Sequence, residues 1–169
     1  MILNILHHPD PRLRTKAAPV DPALVSSEAF QSLIDNMLET MYVSGGIGLA
    51  ATQVDVHQRL LVMDVSPQRN QPWILINPTR LATSGERTFV EGCLSVPGAT
   101  SEVKRADRVT VGYLDRHGVA QETALDGLLA TCVQHEMDHL DGVLFIDRIS
   151  SLRRDRAMRQ ASRLQRSRN

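Results

Sequence analysis

Two histidines four residues apart, the first followed directly by a glutamate, occur in His135-Glu136-Met137-Asp138-His139. On a helix, positions i and i+4 lie about 40° apart in azimuth and one turn apart in height, so both imidazoles can converge on one cation. Neutral imidazoles suit a divalent metal, which lowers the pKa of a bound water toward neutrality. Glu136 stands beside such a metal and can take the water's proton as hydroxide attacks a carbonyl carbon. The chemistry is hydrolysis. Five residues of common types also meet by chance on amphipathic helices, so the reading depends on a third ligand.

Only two cysteines are present, Cys93 and Cys132. Cys132 shares the helical face of the histidines but lies about 10.5 Å along the axis from His139 at ~1.5 Å rise per residue, too far to share one ion with it. It reads as a small core residue beside the site. Cys93 is freer. It stands in Glu91-Gly92-Cys93-Leu94-Ser95-Val96-Pro97, where Gly92 allows an unusual backbone turn and Pro97 is expected to end any strand, a setting that can present a thiolate and exposed backbone N–H groups. The expected set is Cys93, His135 and His139 with one position open. Metalloproteases with the same five-residue pattern take their third ligand from downstream. Here Gly142 fits the longer metzincin pattern, but Phe145 occupies the third histidine's position, and Glu136 is the last glutamate of the chain.

The elements that must position these groups follow from periodicity. Phe30, Leu33, Ile34, Met37, Leu38 and Met41 follow Ser26-Ser27 at helical spacing and predict a helix over 27–43, closed by Gly45-Gly46. Residues 59–65 and 73–77 read as short buried strands, the second stopped by Pro78. Residues 108–114 and 119–123 form a hairpin around Asp115-Arg116-His117-Gly118. Leu125, Leu128, Leu129, Cys132 and Val133 then lead an apolar helix from Asp126-Gly127 to about Asp141-Gly142, which buries the metal helix. Helices at both ends, strands between and no regular βαβ alternation give an α+β fold.

With 169 residues, 42% of them hydrophobic and 22% charged, the chain suits one catalytic domain over 1–150 and a basic C-terminal helix or tail over 151–169. That tail carries Arg153, Arg154, Arg156, Arg159, Arg163, Arg166 and Arg168 against Asp155 alone, a charge of +6 that the rest of the chain balances. Leu152, Met158 and Leu164 are too sparse for a wide apolar stripe, so a mostly exposed helix that frays at its end is expected. It is a solvated helix or a surface for a phosphate backbone, RNA rather than lipid. No basic leader or membrane span is legible near Met1, and two unpaired cysteines fit a reducing compartment, so the cytoplasm is expected.

Three segments in order, Gly46-Ile47-Gly48-Leu49-Ala50-Ala51-Thr52-Gln53, Glu91 to Pro97 and Gln134 to Gly142, resemble bacterial peptide deformylases. The likeness runs from Asp10-Pro11-Arg12-Leu13-Arg14 to Val143-Leu144-Phe145. It implies a deformylase-like α+β fold, with antiparallel strands around a central metal-binding helix and an additional C-terminal helix. The implied reaction removes the N-formyl group from the initiator methionine of nascent polypeptides, releasing formate. Cys93, His135 and His139 would be the ligands, and Glu136 the base and then the acid. By the same resemblance Gln53 and the backbone N–H of Leu94 would hold the developing oxyanion. A methionine pocket would draw on Ile47, Phe89, Leu128 and Cys132, with peptide backbone along Ile47 and Gly48. Phe89, Thr131 and Thr100 depart from residues frequent in the family, the last standing where an arginine is common, so fine specificity is left open. Ligand softness alone suggests Zn2+. The resemblance implies Fe2+ in the cell, replaceable by Zn2+, Ni2+ or Co2+, and a monomer acting on N-formylmethionyl peptides, with a ribosome contact through the tail. A metal-stabilised RNA-binding protein without catalysis is the contrasting class, and three protein ligands with an open position speak against it.

Overall fold

The computed structural model describes residues 1–169. Helix α1, Glu28–Val43, starts where the Ser27 hydroxyl caps the Phe30 N–H at 3.2 Å. After it come β1 (Gly48–Ala50), a 3-10 turn (Ala51–Val54), β2 (Leu60–Met63) and β3 (Trp73–Ser84). Then follow the hairpins β4 (Arg87–Cys93) with β5 (Val96–Arg105), and β6 (Arg108–Leu114) with β7 (Ala120–Asp126), before α2 (Gly127–Leu140) and α3 (Ser151–Ser167). Five strands form one antiparallel sheet in the order β1-β2-β3-β6-β7, and β4-β5 make a separate two-stranded sheet.

The β1-β2 end of the larger sheet is buried on both faces, and β2 shows how. Leu61 and Met63 pack toward Val133, Met137 and Leu140 of α2, whereas Leu60 and Val62 pack toward Ile34, Met37 and Met41 of α1. Successive residues of a strand point to opposite faces, so an uninterrupted apolar run serves two helices at once. Every residue of α2 from Ala130 to Leu140 is buried. The His135–His139 segment therefore lies in the centre of the molecule, as its apolar lead-in implied.

The structure corrects several expectations. Pro78 does not stop a strand, since β3 runs on to Ser84. The register shifts between Ile76 and Thr79, and Asn77 takes a positive φ of 51° while its side chain holds both backbone groups of Val20. A bulge of this kind accommodates a proline that lacks a ladder donor. Pro97 likewise lies inside β5 and does not end a strand. The hairpin β4-β5 escaped the sequence because β4 is mostly exposed and neither strand carries a regular apolar alternation. Gly92 is not in the left-handed region; Gly98 is, at φ 82°, and a Cβ there would meet Leu164 at 2.8 Å. The contact belongs to α3, which lies along β5 through the fully buried Ala157 together with Met158 and Ala161. Alanines complete the stripe that larger residues left sparse. The arginines beyond Arg154 on this helix point to solvent.

Candidate metal centre and substrate cleft

α2 presents His135 and His139 from consecutive turns, and Cys93 reaches them from the end of β4. One ligand atom from each lies within 4.8 Å of the others, so the three could hold a metal ion. Cys93 Sγ is 3.2 Å from Nε2 of His139. The Cys93 turn is tight: Cys93 pairs with Val96 across the two residues Leu94 and Ser95, and the Ser95 N–H donates to Sγ at 3.4 Å.

The charges around the cluster fit a cation. His135 donates from Nδ1 to the Glu91 carboxylate at 2.8 Å, which turns Nε2 toward the cluster. Burial pushes the Glu91 carboxyl upward, yet the bonds from His135 and Arg105 hold it below the usual carboxylate range. Burial, with the neighbouring His135, Arg105 and Arg14, holds His139 well below the usual imidazole range, so its lone pairs are available. Burial also opposes a proton on His135, but Cys93, Glu91 and Glu136 outweigh it and raise the group. Glu91 and Glu136 thus bring negative charge to this side of the cluster. Burial lifts the Cys132 thiol well above its ordinary value, with the Glu136 charge as the second cause, so Cys132 stays a neutral thiol. Its Sγ instead donates to the Ile47 carbonyl at 3.5 Å.

Glu136 follows His135 on α2, with Oε1 4.0 Å from Nε2 of His135. Its Oε2 is buried without a hydrogen-bond partner. Burial pushes this carboxyl up to about 7. Gln53, the last but one residue of the 3-10 turn, accepts the Ala50 N–H at 2.9 Å through Oε1. That bond fixes its amide so that Nε2 donates to Ser95 Oγ at 3.0 Å and faces Cys93 Sγ at 3.7 Å.

These groups open onto one cleft of 490 Å³. Of the residues singled out from the sequence, Ile47, Gly48, Gln53, Phe89, Cys93, Leu94, Leu128, Cys132, His135 and Glu136 all line it, and His139 lies beneath. Thr100 and Thr131 line it too, and no lysine or arginine does. β1 forms one wall and β4-β5 the other, with α2 as the floor. Sequence reasoning missed the layer behind Cys93, His135 and His139. Arg105 makes a two-pronged pair with Glu91 at 2.7 and 3.0 Å and reaches Asp138 at 2.9 Å, and Arg148 holds the second Asp138 oxygen at 2.8 Å. The only signal was that a metal-ligating histidine needs an acceptor for its second nitrogen, which does not say where in the chain that acceptor lies.

The chain is similar in sequence and fold to known proteins. Residues 2–155 match the family model for polypeptide deformylase. A relative from Xanthomonas campestris pv. campestris named peptide deformylase 2 is 56% identical over 163 residues, covering 96% of each chain. The crystal structure of a peptide deformylase from Legionella pneumophila superposes with a TM-score of 0.93 at 45% identity, covering 99% of this chain and 98% of that one. A Met-Ala-Ser-bound class I type b peptide deformylase from Acinetobacter baumannii superposes at 0.84 with 35% identity, covering 88% and 99%.

Proposed function

The chain belongs to the polypeptide deformylase family, and we propose that it removes the formyl group from the initiator methionine of nascent polypeptides, with Glu136 as the proton carrier. One observation carries the assignment of Glu136: a buried carboxylate with a partnerless oxygen, beside the Cys93-His135-His139 set at the foot of an apolar cleft. A divalent cation held by those three residues would supply Lewis-acid polarisation and water activation. Glu136 takes a proton from the attacking water and returns it to the leaving nitrogen as the C–N bond breaks, which yields formate and a free amine. A carboxyl lifted to about 7 is suited to both directions of transfer.

Gln53 Nε2 donates to Ser95 Oγ at 3.0 Å and makes only a long contact of 3.7 Å to Cys93 Sγ, so the hydrogen on the Cys93 side is the one that turns to the oxyanion, together with the Leu94 N–H. The methionine side chain fits among Ile47, Phe89, Leu128 and Cys132, and the peptide backbone runs along Ile47 and Gly48. The Met-Ala-Ser bound by the Acinetobacter relative supports a methionine-led peptide in the corresponding cleft. Fe2+ is the metal assigned in the cell, with Zn2+, Ni2+ and Co2+ as replacements. Formate release from formyl-Met-Ala-Ser, measured anaerobically with metal content determined, should be faster for the iron, nickel or cobalt protein than for the zinc protein. No formate at full metal occupancy would overturn the function, and equal turnover would overturn the metal preference.

The reading includes a monomer in the cytoplasm whose α3 touches the ribosome. No helix is long and apolar enough to cross a membrane. Arg153 is near Glu102 at 3.5 Å and Arg154 near Asp147 at 3.3 Å, whereas Arg156, Arg159, Arg163 and Arg166 are exposed and make no ion pair. Replacing those four with glutamine should weaken co-sedimentation with ribosomes at low salt about tenfold, because each cation lost releases fewer counterions. Turnover of free peptide should not change. Unaltered co-sedimentation would remove the ribosome contact from the proposal.

A further inference from the structure

The loop between β2 and β3 grips the outer edge of the cleft. Asp64 is fully buried and organises the loop by accepting from the Tyr42 hydroxyl at 2.6 Å, the Ser66 hydroxyl at 2.6 Å and the N–H groups of Ser66 and Gln71 at 2.9 and 3.1 Å. Its own N–H donates to the Ile47 carbonyl at 2.8 Å. On this frame Arg69 adopts a left-handed backbone at φ 56°, which a non-glycine residue takes only where contacts offset it. The contacts are specific. One guanidinium nitrogen donates to the Gly46 carbonyl, another is 3.4 Å from the Asp64 carbonyl, and the group sits 5.1 Å above the Tyr42 ring. Across the cleft mouth Gly46 touches Leu94 so closely that a Cβ on Gly46 would lie 2.7 Å from Leu94 Cδ1.

We infer that Arg69 is a positioning residue for the extended part of the peptide: by clasping the Gly46 carbonyl from outside, it holds the Gly46 end of this cleft wall in place against Leu94. The inference rests on the deformylase reading for its substrate. Arg69 does not line the cleft and touches none of Cys93, His135, His139 or Glu136. Its influence is therefore on binding beyond the first residue, not on the reacting atoms. A lysine at 69 keeps the charge over Tyr42 but lacks the rigid fork whose two separate nitrogens reach the two carbonyls.

The test compares Arg69→Gly, Arg69→Ala and Arg69→Lys with the unaltered chain, all metal-loaded. Arg69→Gly keeps the left-handed backbone accessible while deleting the clasp, so it separates the clasp from folding. For formyl-Met-Ala-Ser, KM should rise about tenfold in Arg69→Gly with kcat within about twofold, the ratio carried by one charged hydrogen bond. Formyl-methionine amide should show little change, and Arg69→Lys should fall between. A general loss of folded protein would instead lower the rate for both substrates equally. Calorimetric binding of unformylated Met-Ala-Ser and of methionine amide should show the same selective loss. An unchanged ratio between the long and short ligands in Arg69→Gly overturns the clasp. Absent formate release with the selective binding loss intact overturns the reaction assignment and leaves the clasp standing.

Discussion

Glu136→Ala lowers formate turnover roughly a thousandfold, within the range for a single positioned acid–base group, while metal content stays at the wild-type level. The two effects separate because Glu136 is not among the three residues that could hold the ion. Its Oε2 has no protein partner and burial drives the carboxyl up to about 7, so the fold gains little from it. A buried acceptor without a donor is a cost to folding. Glu136→Gln, which keeps the volume, should therefore match or exceed the wild-type thermal midpoint while losing comparable activity. Elemental analysis, formate release and thermal unfolding on the same samples check this. Activity within about tenfold of wild type in both variants would remove Glu136 from the reaction.

Gly48→Ala should lower kcat about a hundredfold with metal retained, since displacement of a reacting group by about 1 Å costs that much. The backbone at Gly48 is not left-handed, so the glycine is there for space. A Cβ would lie 2.6 Å from Oε1 of Glu136 and 2.9 Å from both Cγ of Glu136 and Sγ of Cys132. The backbone of α2 is buried and cannot retreat, so the carboxylate must turn away from its place beside His135. The decisive comparison is the double variant. If Gly48→Ala acts through Glu136, adding it to Glu136→Ala should lower kcat by only about twofold more, the non-additivity expected of two residues in contact. An equal hundredfold loss in both backgrounds would place the effect elsewhere.

The parts of the site that were legible are those whose partners are close in sequence. The spacing of His135 and His139 on α2 needs only helix geometry, and the rejection of Cys132 as a ligand needs only its rise per residue. Helix α1 was visible from its cap at Ser27 and its apolar stripe, and β6-β7 from its turn, although β7 continues to Asp126 beyond the expected end. Strand β3 was cut short because Pro78 is read locally as a stop, and only the bulge against β6 shows how it is passed. Helix α3 looked poorer in contacts than it is because Ala157 and Ala161 bury little area each and carry no signal until β5 is set against them.

The cluster Glu91, Arg105, Asp138 and Arg148 draws on four separate stretches of chain, and none of its members is distinguishable from a surface charge by type or spacing. The same holds for Arg69, whose clasp on Gly46 crosses from one loop to another. By itself, the sequence determined that two histidines and a carboxylate share one helix face and that Cys93 is a candidate to join them, because a helix converts spacing directly into direction. Only the tertiary structure decided which acceptor orients His135, how deeply Glu136 is buried and what holds the cleft open, because these depend on groups brought together by sheet register and burial, which leave no periodic mark along the chain.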